Sequence, residues 1–177
     1  MRSSRWVVFI AFAATLVVAV SAMSFAAPAP APPPSAAATP AASSTGIATA
    51  DGEESGVTVV VQELKRGSAD TVTLKFTIIN GSKKNFSFGY HMADPKHEVT
   101  DFGSVGGVQL LDEAGKKKYF VVRDTQNKCV CSQKVGDIQP GSSKNLWAKF
   151  PAPPPNVQKI SVVIPHFGPM DDVPISN

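Results

Sequence analysis

The amino-acid sequence predicts an all-β domain, a two-layer antiparallel sandwich. Three observations support this prediction: apolar and polar residues alternate with a period of two in several short runs, turn-forming residues separate these runs, and no long stretch shows the helical period. Six or seven short strands in a domain of roughly 120 residues are typical of a sandwich. A small barrel is the alternative architecture.

Residues 1–26 have the composition of a secretory signal peptide. Two arginines precede an unbroken apolar run over 6–20, and small residues follow. Ala22 and Ala26 are the two candidate cleavage sites. An uncleaved anchor is the alternative, because the segment approaches the roughly 20 apolar residues that span a bilayer. Both interpretations place the rest of the chain outside the cytoplasm.

Residues 27–55 are expected to form a disordered linker rich in proline and alanine. Over 28–50 the chain carries no charge and almost no side chain larger than threonine or proline. Such a segment cannot bury enough apolar surface to offset its conformational entropy. Its proline-rich first half is expected to be extended and semi-rigid. A proline-rich recognition ligand is the alternative, but the alternating Ala-Pro sequence lacks the flanking charges of such ligands.

The folded domain is predicted over 56–177, and its first strands are the clearest. Alternate valines share one face over 57–64. The segment 70–80 alternates most regularly, with four inward side chains, Val72, Leu74, Phe76 and Ile78. A turn then leads to 86–90, where three aromatic residues are expected to share a face.

The second half of the domain adds a hairpin and three further strands, over 107–124, 140–150, 157–165 and 172–175. In the strand after the Pro-Gly turn, Trp147 points to the face opposite Leu146 and Ala148. The segment 92–106 shows no alternation and is expected to hold at most one helical turn. Together the predicted strands are typical of an immunoglobulin-like sandwich.

Two segments carry a resemblance to a known group of domains. The run VQLLDEAGKKKYFVVRDTQNKCVCS covers 108–132, and IQPGSSKNLWAKFPAPPPNVQKISVVIPHFGPMDDVPI covers 138–175. They resemble small secreted immunoglobulin-like β-sandwich domains of high-GC bacteria. Some of those domains stand alone behind a signal peptide, and others precede a peptidoglycan-binding domain of the outer-membrane-protein-A type. The resemblance covers most of 57–176 and implies an extracytoplasmic sandwich with no established catalytic residues.

The charge of the chain argues against a nucleic-acid partner. The formal net charge is +3, but Arg2 and Arg5 lie in the leader, so the domain carries only +1. A nucleic-acid-binding domain needs a basic face that neutralises phosphates. Short lysine clusters at 83–86 and 115–120 are interpreted as solvated charges of turns or edge strands.

Cys129 and Cys131 are the only cysteines of the chain. Alternate residues of an extended strand have Cα atoms about 6.6 Å apart, near the upper limit of about 6.8 Å for a disulfide, so a slight kink allows the bond. A loop this small stabilises the fold by about 1.6 kcal/mol in the chain-entropy treatment. We expect a closed disulfide that acts as a local clip. A thiol redox protein using Cys-x-Cys is an alternative, although no Cys-x-x-Cys accompanies it.

Several imidazole and thioether side chains offer a second alternative, a periplasmic or extracellular copper carrier. The candidate ligands are His91, Met92, His166 and Met170, with His97 nearby in the sequence. Imidazole and thioether groups suit Cu(I). The ligand spacing does not reproduce the pattern of copper carriers, and methionines more often fill gaps in a core. We therefore expect no cofactor.

No catalytic motif emerges from the remaining residues. Ser104 lacks the Gly-x-Ser-x-Gly spacing of a nucleophile elbow. Asn80 and Asn85 begin glycan acceptor sequences, which matter only if the host modifies them.

The sequence predicts a non-enzymatic, secreted or envelope-associated binding or structural module. Its ligand is an unknown protein or envelope component, and a membrane is a partner only if the leader stays uncleaved. The predicted interaction surface combines the irregular 91–106 segment with the proline-rich turn 151–156.

Overall fold

The computed structural model of the protein describes residues 46–68 and 70–177. The predicted leader over 1–26 lies outside the described residues, as does the predicted linker up to residue 45. The described chain forms eight strands and one helical turn, in the order β1 (Ala48–Asp51), β2 (Val57–Arg66), β3 (Thr71–Asn80), α1 (Glu98–Asp101), β4 (Gln109–Asp112), β5 (Lys117–Phe120), β6 (Ser142–Pro151), β7 (Lys159–Val163) and β8 (Met170–Pro174). Within these ranges, no helix has the length and apolar character needed to cross a membrane.

The strands form two antiparallel sheets of four strands each. The first sheet has the order β1-β2-β3-β6, and the second has the order β5-β4-β7-β8. One cluster of buried apolar side chains contains Phe76 and Leu146 from the first sheet and Leu110 and Val162 from the second. The prediction of an all-β domain built from antiparallel sheets is confirmed.

The alternation of side chains along β3 decides which face of the first sheet is buried. The predicted inward residues of β3 are all fully buried, and β6 pairs with β3 over its whole length, so that Phe76 lies opposite Leu146. Side chains at the intervening positions point the other way. We call this opposite side the outer face of the first sheet. Its middle is formed by Val60, Gln62, Thr73, Lys75, Thr77, Asn145 and Trp147.

Strand β1 lies inside the range 27–55 that the composition predicts to be linker. Ala48 and Ala50 pair with Val61 and Val59 at the edge of the first sheet. The backbone N–H and C=O groups of an edge strand bond to a neighbour whatever its side chains are. A strand of small residues therefore joins the sheet without the apolar alternation that would reveal it in the sequence.

The segment 86–90 does not form the predicted strand. Phe86 makes an isolated bridge with Ile138, and the chain turns at Gly89, whose φ is 22°. Phe86 and Phe88 are buried in the core, but Tyr90 is exposed. The aromatic pattern therefore marks two core positions and not a continuous strand.

An ion pair fixes the irregular connection between β3 and β4, which contains α1 as its one helical turn. Arg123 donates hydrogen bonds to both carboxylate oxygens of Asp101, at 3.1 and 2.6 Å, and to Asp94 at 3.3 Å. The exposed fractions of the Asp101 and Arg123 side chains are 1% and 16%. The hydrogen bond with Asp101 raises the pKa of Arg123 above its ordinary value, so the arginine stays charged.

The proline-rich turn 151–156 is held by a different set of contacts. The guanidinium of Arg66 donates to three backbone carbonyl oxygens, those of Pro153, Pro154 and Val157. Among the described residues, no hydrogen bond joins this turn to the 91–106 segment. The two halves of the predicted interaction surface are thus positioned by separate elements.

Candidate functional site

The two cysteines are joined in a disulfide that lies in the core. Their Cα atoms are 5.3 Å apart, closer than in an extended strand, and both side chains are buried. The segment that carries them runs along the edge of β6, because Ser132 N donates to Trp147 O at 2.8 Å and Lys149 N donates to Val130 O at 3.0 Å. This position suits a clip that secures the segment against the sheet.

Replacing both cysteines with alanine is expected to lower the free energy of unfolding by about 2 kcal/mol, since the closed loop is small. Urea unfolding followed by circular dichroism measures the change. The folded, unreduced wild-type protein should gain no mass with iodoacetamide. Uptake of two alkyl groups by the folded protein would contradict the buried clip.

The structure separates the four candidate copper ligands into two kinds. His91 and His166 come together, with ring centroids 5.1 Å apart. Met92 and Met170 are buried members of the apolar core. His97 precedes α1 and is not paired with either ring. The mixed histidine and methionine set is therefore not assembled, because both thioethers are packed among apolar side chains.

Ser104, which lacks the sequence context of a nucleophile, is buried and its hydroxyl is hydrogen-bonded. Its Oγ accepts a hydrogen bond from Gly106 N at 3.1 Å. Gly106 must be a glycine, because a Cβ there would lie 2.1 Å from Oδ2 of Asp101. The serine thus shapes the loop that carries Asp101.

A groove of about 740 Å³ crosses the outer face of the first sheet. Trp147 forms one wall, and this residue is 40% exposed. The floor belongs to β2, β3 and β6, whose backbones are fixed by the sheet, so the groove is a rigid surface. The sequence indicates that Trp147 points away from the core, but it does not show which side chains lie beside it.

Three polar side chains on the floor of the groove are linked across the strands. Gln62 donates to Thr77, and Thr77 Oγ1 donates to Asn145 Oδ1 at 2.6 Å. Thr77 pairs in register with Asn145 on β6, which brings the side chains together. These contacts fix the orientation of two amide groups beside the indole. The alternation pattern alone does not reveal this set of three hydrogen-bonded side chains.

The groove is nearly free of unpaired charge. Among the described residues that line the groove, Lys75 alone is charged, and it forms an ion pair with Glu63 at 2.7 Å. The hydrogen bond from Lys75 lowers the pKa of Glu63 below its ordinary value. With an aromatic wall and fixed amides, the surface offers apolar contact and hydrogen bonds to an uncharged ligand.

Gly46, the first residue that the structure describes, lies at the margin of the outer face of the first sheet. A Cβ added to Gly46 would lie 2.2 Å from Cγ1 of Val60, a side chain of the outer face. Ile47 N donates to Val61 O at 2.8 Å, which fixes the chain at this point. Gly46 and Ile47 therefore lie beside the outer face.

The 91–106 segment and its flanks present a smaller aromatic surface. Tyr90 and Phe102 are both exposed and lie edge to face, with centroids 4.7 Å apart. Val99 on α1 is also exposed. This surface lies on irregular chain, whereas the Trp147 groove lies on paired strands.

Comparison of the chain with models of protein families, with curated proteins and with solved structures finds no match. The fold defines the class to which the protein belongs, an all-β domain of two four-stranded antiparallel sheets.

Proposed function

We propose that the protein is a non-enzymatic, extracytoplasmic binding module with an immunoglobulin-like sandwich, and that its ligand lies in the Trp147 groove. The leader-like composition of residues 1–26 supports the extracytoplasmic location. The observation that carries the binding role is the exposed Trp147 beside fixed amide groups on a rigid sheet. Exposed aromatic side chains in concave surfaces are common anchors of recognition.

The ligand is an extended, uncharged polypeptide segment of the polyproline type. Proline-rich segments dock into aromatic-lined grooves, and their preformed backbone loses little entropy on binding. The carbonyl groups of such a segment are free to accept hydrogen bonds from amides such as those of Gln62 and Asn145. Since Lys75 is already paired with Glu63, a charged ligand gains nothing specific here.

A synthetic peptide of residues 28–45 is a probe of this chemistry. We expect isothermal titration calorimetry to show saturable binding of the peptide to the protein. The measurement uses the full chain and a variant lacking 28–45, because the variant carries no copy of the peptide that could compete. Trp147→Ala is expected to weaken binding by at least tenfold, because apolar contact with the indole is lost. Phe120→Ala, which removes an exposed aromatic residue of the second sheet, is the matched control and should bind normally.

Absence of binding to both the full chain and the deletion variant would overturn the proposal. So would equal loss of binding in the Trp147 and Phe120 variants. If N-acetylglucosamine oligomers bind saturably and the peptide does not, the ligand of the groove is a glycan. Circular dichroism of each variant confirms that the fold is retained.

A further inference from the structure

Three loops bring two histidines and a glutamate together at a position separate from the Trp147 groove. His91 lies in the β3–β4 connection, His166 in the turn between β7 and β8, and Glu53 in the β1–β2 loop. The imidazole rings of His91 and His166 have centroids 5.1 Å apart and planes inclined at 81°. Both side chains are exposed, so the pair is open to solvent.

Each ring has its Nδ1 directed at a group that only accepts hydrogen bonds. His91 Nδ1 lies 3.1 Å from the backbone oxygen of Ser87, and His166 Nδ1 lies 2.8 Å from Oε2 of Glu53. A carbonyl or carboxylate oxygen requires the hydrogen to be on Nδ1. Each neutral ring therefore keeps its lone pair on Nε2. Metal-binding histidines show this arrangement, in which an acceptor fixes the tautomer and orientation of the ring.

The backbone around His166 is also specialised. His166 has a φ of 66°, in the left-handed region that non-glycine residues rarely adopt. Glu53 N donates to His166 O at 2.8 Å, so Glu53 holds both the backbone and the ring of the histidine. Local strain of this kind is often kept where a side chain must be aimed.

We propose that His91 and His166 bind a divalent transition-metal ion through their Nε2 atoms. Zn²⁺ fits this site, and Cu²⁺ is expected to bind more tightly than Zn²⁺. An ion about 2.0 Å from each nitrogen lies about 3 Å from each ring centroid, so two adjacent ligands have centroids about 5 Å apart. The 5.1 Å separation matches that value.

The proposed site differs from the Cu(I) carrier that the sequence raises as an alternative. Met92 and Met170 are in the core, so imidazole is the ligand type that this position supplies. In the part of the chain that the structure describes, no group of three or more His, Cys, Asp or Glu side chains is placed to hold a metal ion. Two protein ligands leave coordination positions for water or a partner, which makes this an open, exchangeable site.

Titration of the full chain with ZnCl₂, followed by isothermal titration calorimetry, tests the proposal. We expect one ion per chain in the wild type and loss of this binding in both His91→Gln and His166→Gln. His97→Gln removes the third histidine of the chain and is the matched control, expected to bind as the wild type. Glu53→Gln is expected to weaken binding by about tenfold, since Glu53 positions the ring of His166.

Electron paramagnetic resonance of the Cu²⁺ complex gives a second measurement that does not depend on a variant. We expect hyperfine structure from two imidazole nitrogens. Stoichiometric Zn²⁺ binding that survives both His91→Gln and His166→Gln would overturn the proposal, as would a wild type that binds no ion. Because the groove and the histidine pair use different residues, failure of one test leaves the other proposal standing.

Discussion

Replacing Arg123 with leucine is expected to lower the free energy of unfolding by about 3–5 kcal/mol. The substitution leaves the Asp101 carboxylate without its counter-ion at a position where 1% of the side chain is exposed. It also frees the connection that contains α1, which Arg123 ties to the β5–β6 segment through Asp101 and Asn127. Removal of one partner of a buried ion pair is costly because the remaining charge stays poorly solvated.

Urea unfolding of wild type and variant measures this loss. Lys159→Leu is the matched control, since Lys159 and Asp172 form an ion pair at 3.9 Å with 63% and 81% of their side chains exposed. Exposed pairs contribute about 1 kcal/mol or less. The double variant with leucine at both 101 and 123 should recover part of the loss, because no charge is then buried. Equal, small effects at Arg123 and Lys159 would contradict the role of the buried pair.

Replacing Asn80 with alanine is expected to lower the free energy of unfolding by about 3 kcal/mol. The fully buried amide donates to Lys84 O and Ile138 O, each at 2.7 Å, and accepts from Ser82 N at 3.0 Å and Ser82 Oγ at 2.6 Å. It thereby joins the end of β3 to the turn that follows and to the chain before β6. Truncation removes these four hydrogen bonds, each worth about 0.5–1.5 kcal/mol net.

Asn85→Ala supplies the comparison, because Asn85 begins the second glycan acceptor sequence and is exposed. Its effect on stability should be within about 0.5 kcal/mol of zero. Thermal and urea unfolding of the two variants measure the difference. If Asn80→Ala is as mild as Asn85→Ala, the buried amide is not the connection that its contacts indicate. The burial of Asn80 also makes it a poor glycan acceptor in the folded protein.

The strands that the sequence predicts well are those with one face against the core. The alternation of 70–80 coincides with β3, and that of 140–150 with β6, to within two residues at either end. Burial of one face requires a period of two, so the pattern is visible without knowledge of the partner strand. The pattern does not show β1, because this strand joins the sheet through its backbone. The pattern predicts a strand over 86–90, but Phe86 and Phe88 reach the core from an irregular segment.

The candidate sites were less visible, because each combines residues that are distant in the sequence. The orientation of Trp147 follows from its position in an alternating strand. Its neighbours Gln62 and Thr77 reach it only through the pairing of β2, β3 and β6. For the copper hypothesis, His91 and His166 do meet, but Met92 and Met170 are buried in the core, although Met92 directly follows His91. Adjacent residues of an irregular segment point in directions that only packing decides.

Local patterns in the sequence are enough to predict the all-β class, the inward residues of the long strands and the close pairing of Cys129 with Cys131. These features depend on local periodicity and on short separations along the chain. Three features are visible only in the folded chain: the register that builds the Trp147 groove, the burial of the Arg123–Asp101 pair and the contact between His91 and His166. These features arise because strand pairing and loop packing bring together residues that are distant in the sequence: Thr77 and Asn145 are 68 positions apart, and Asp101 and Arg123 are 22 positions apart.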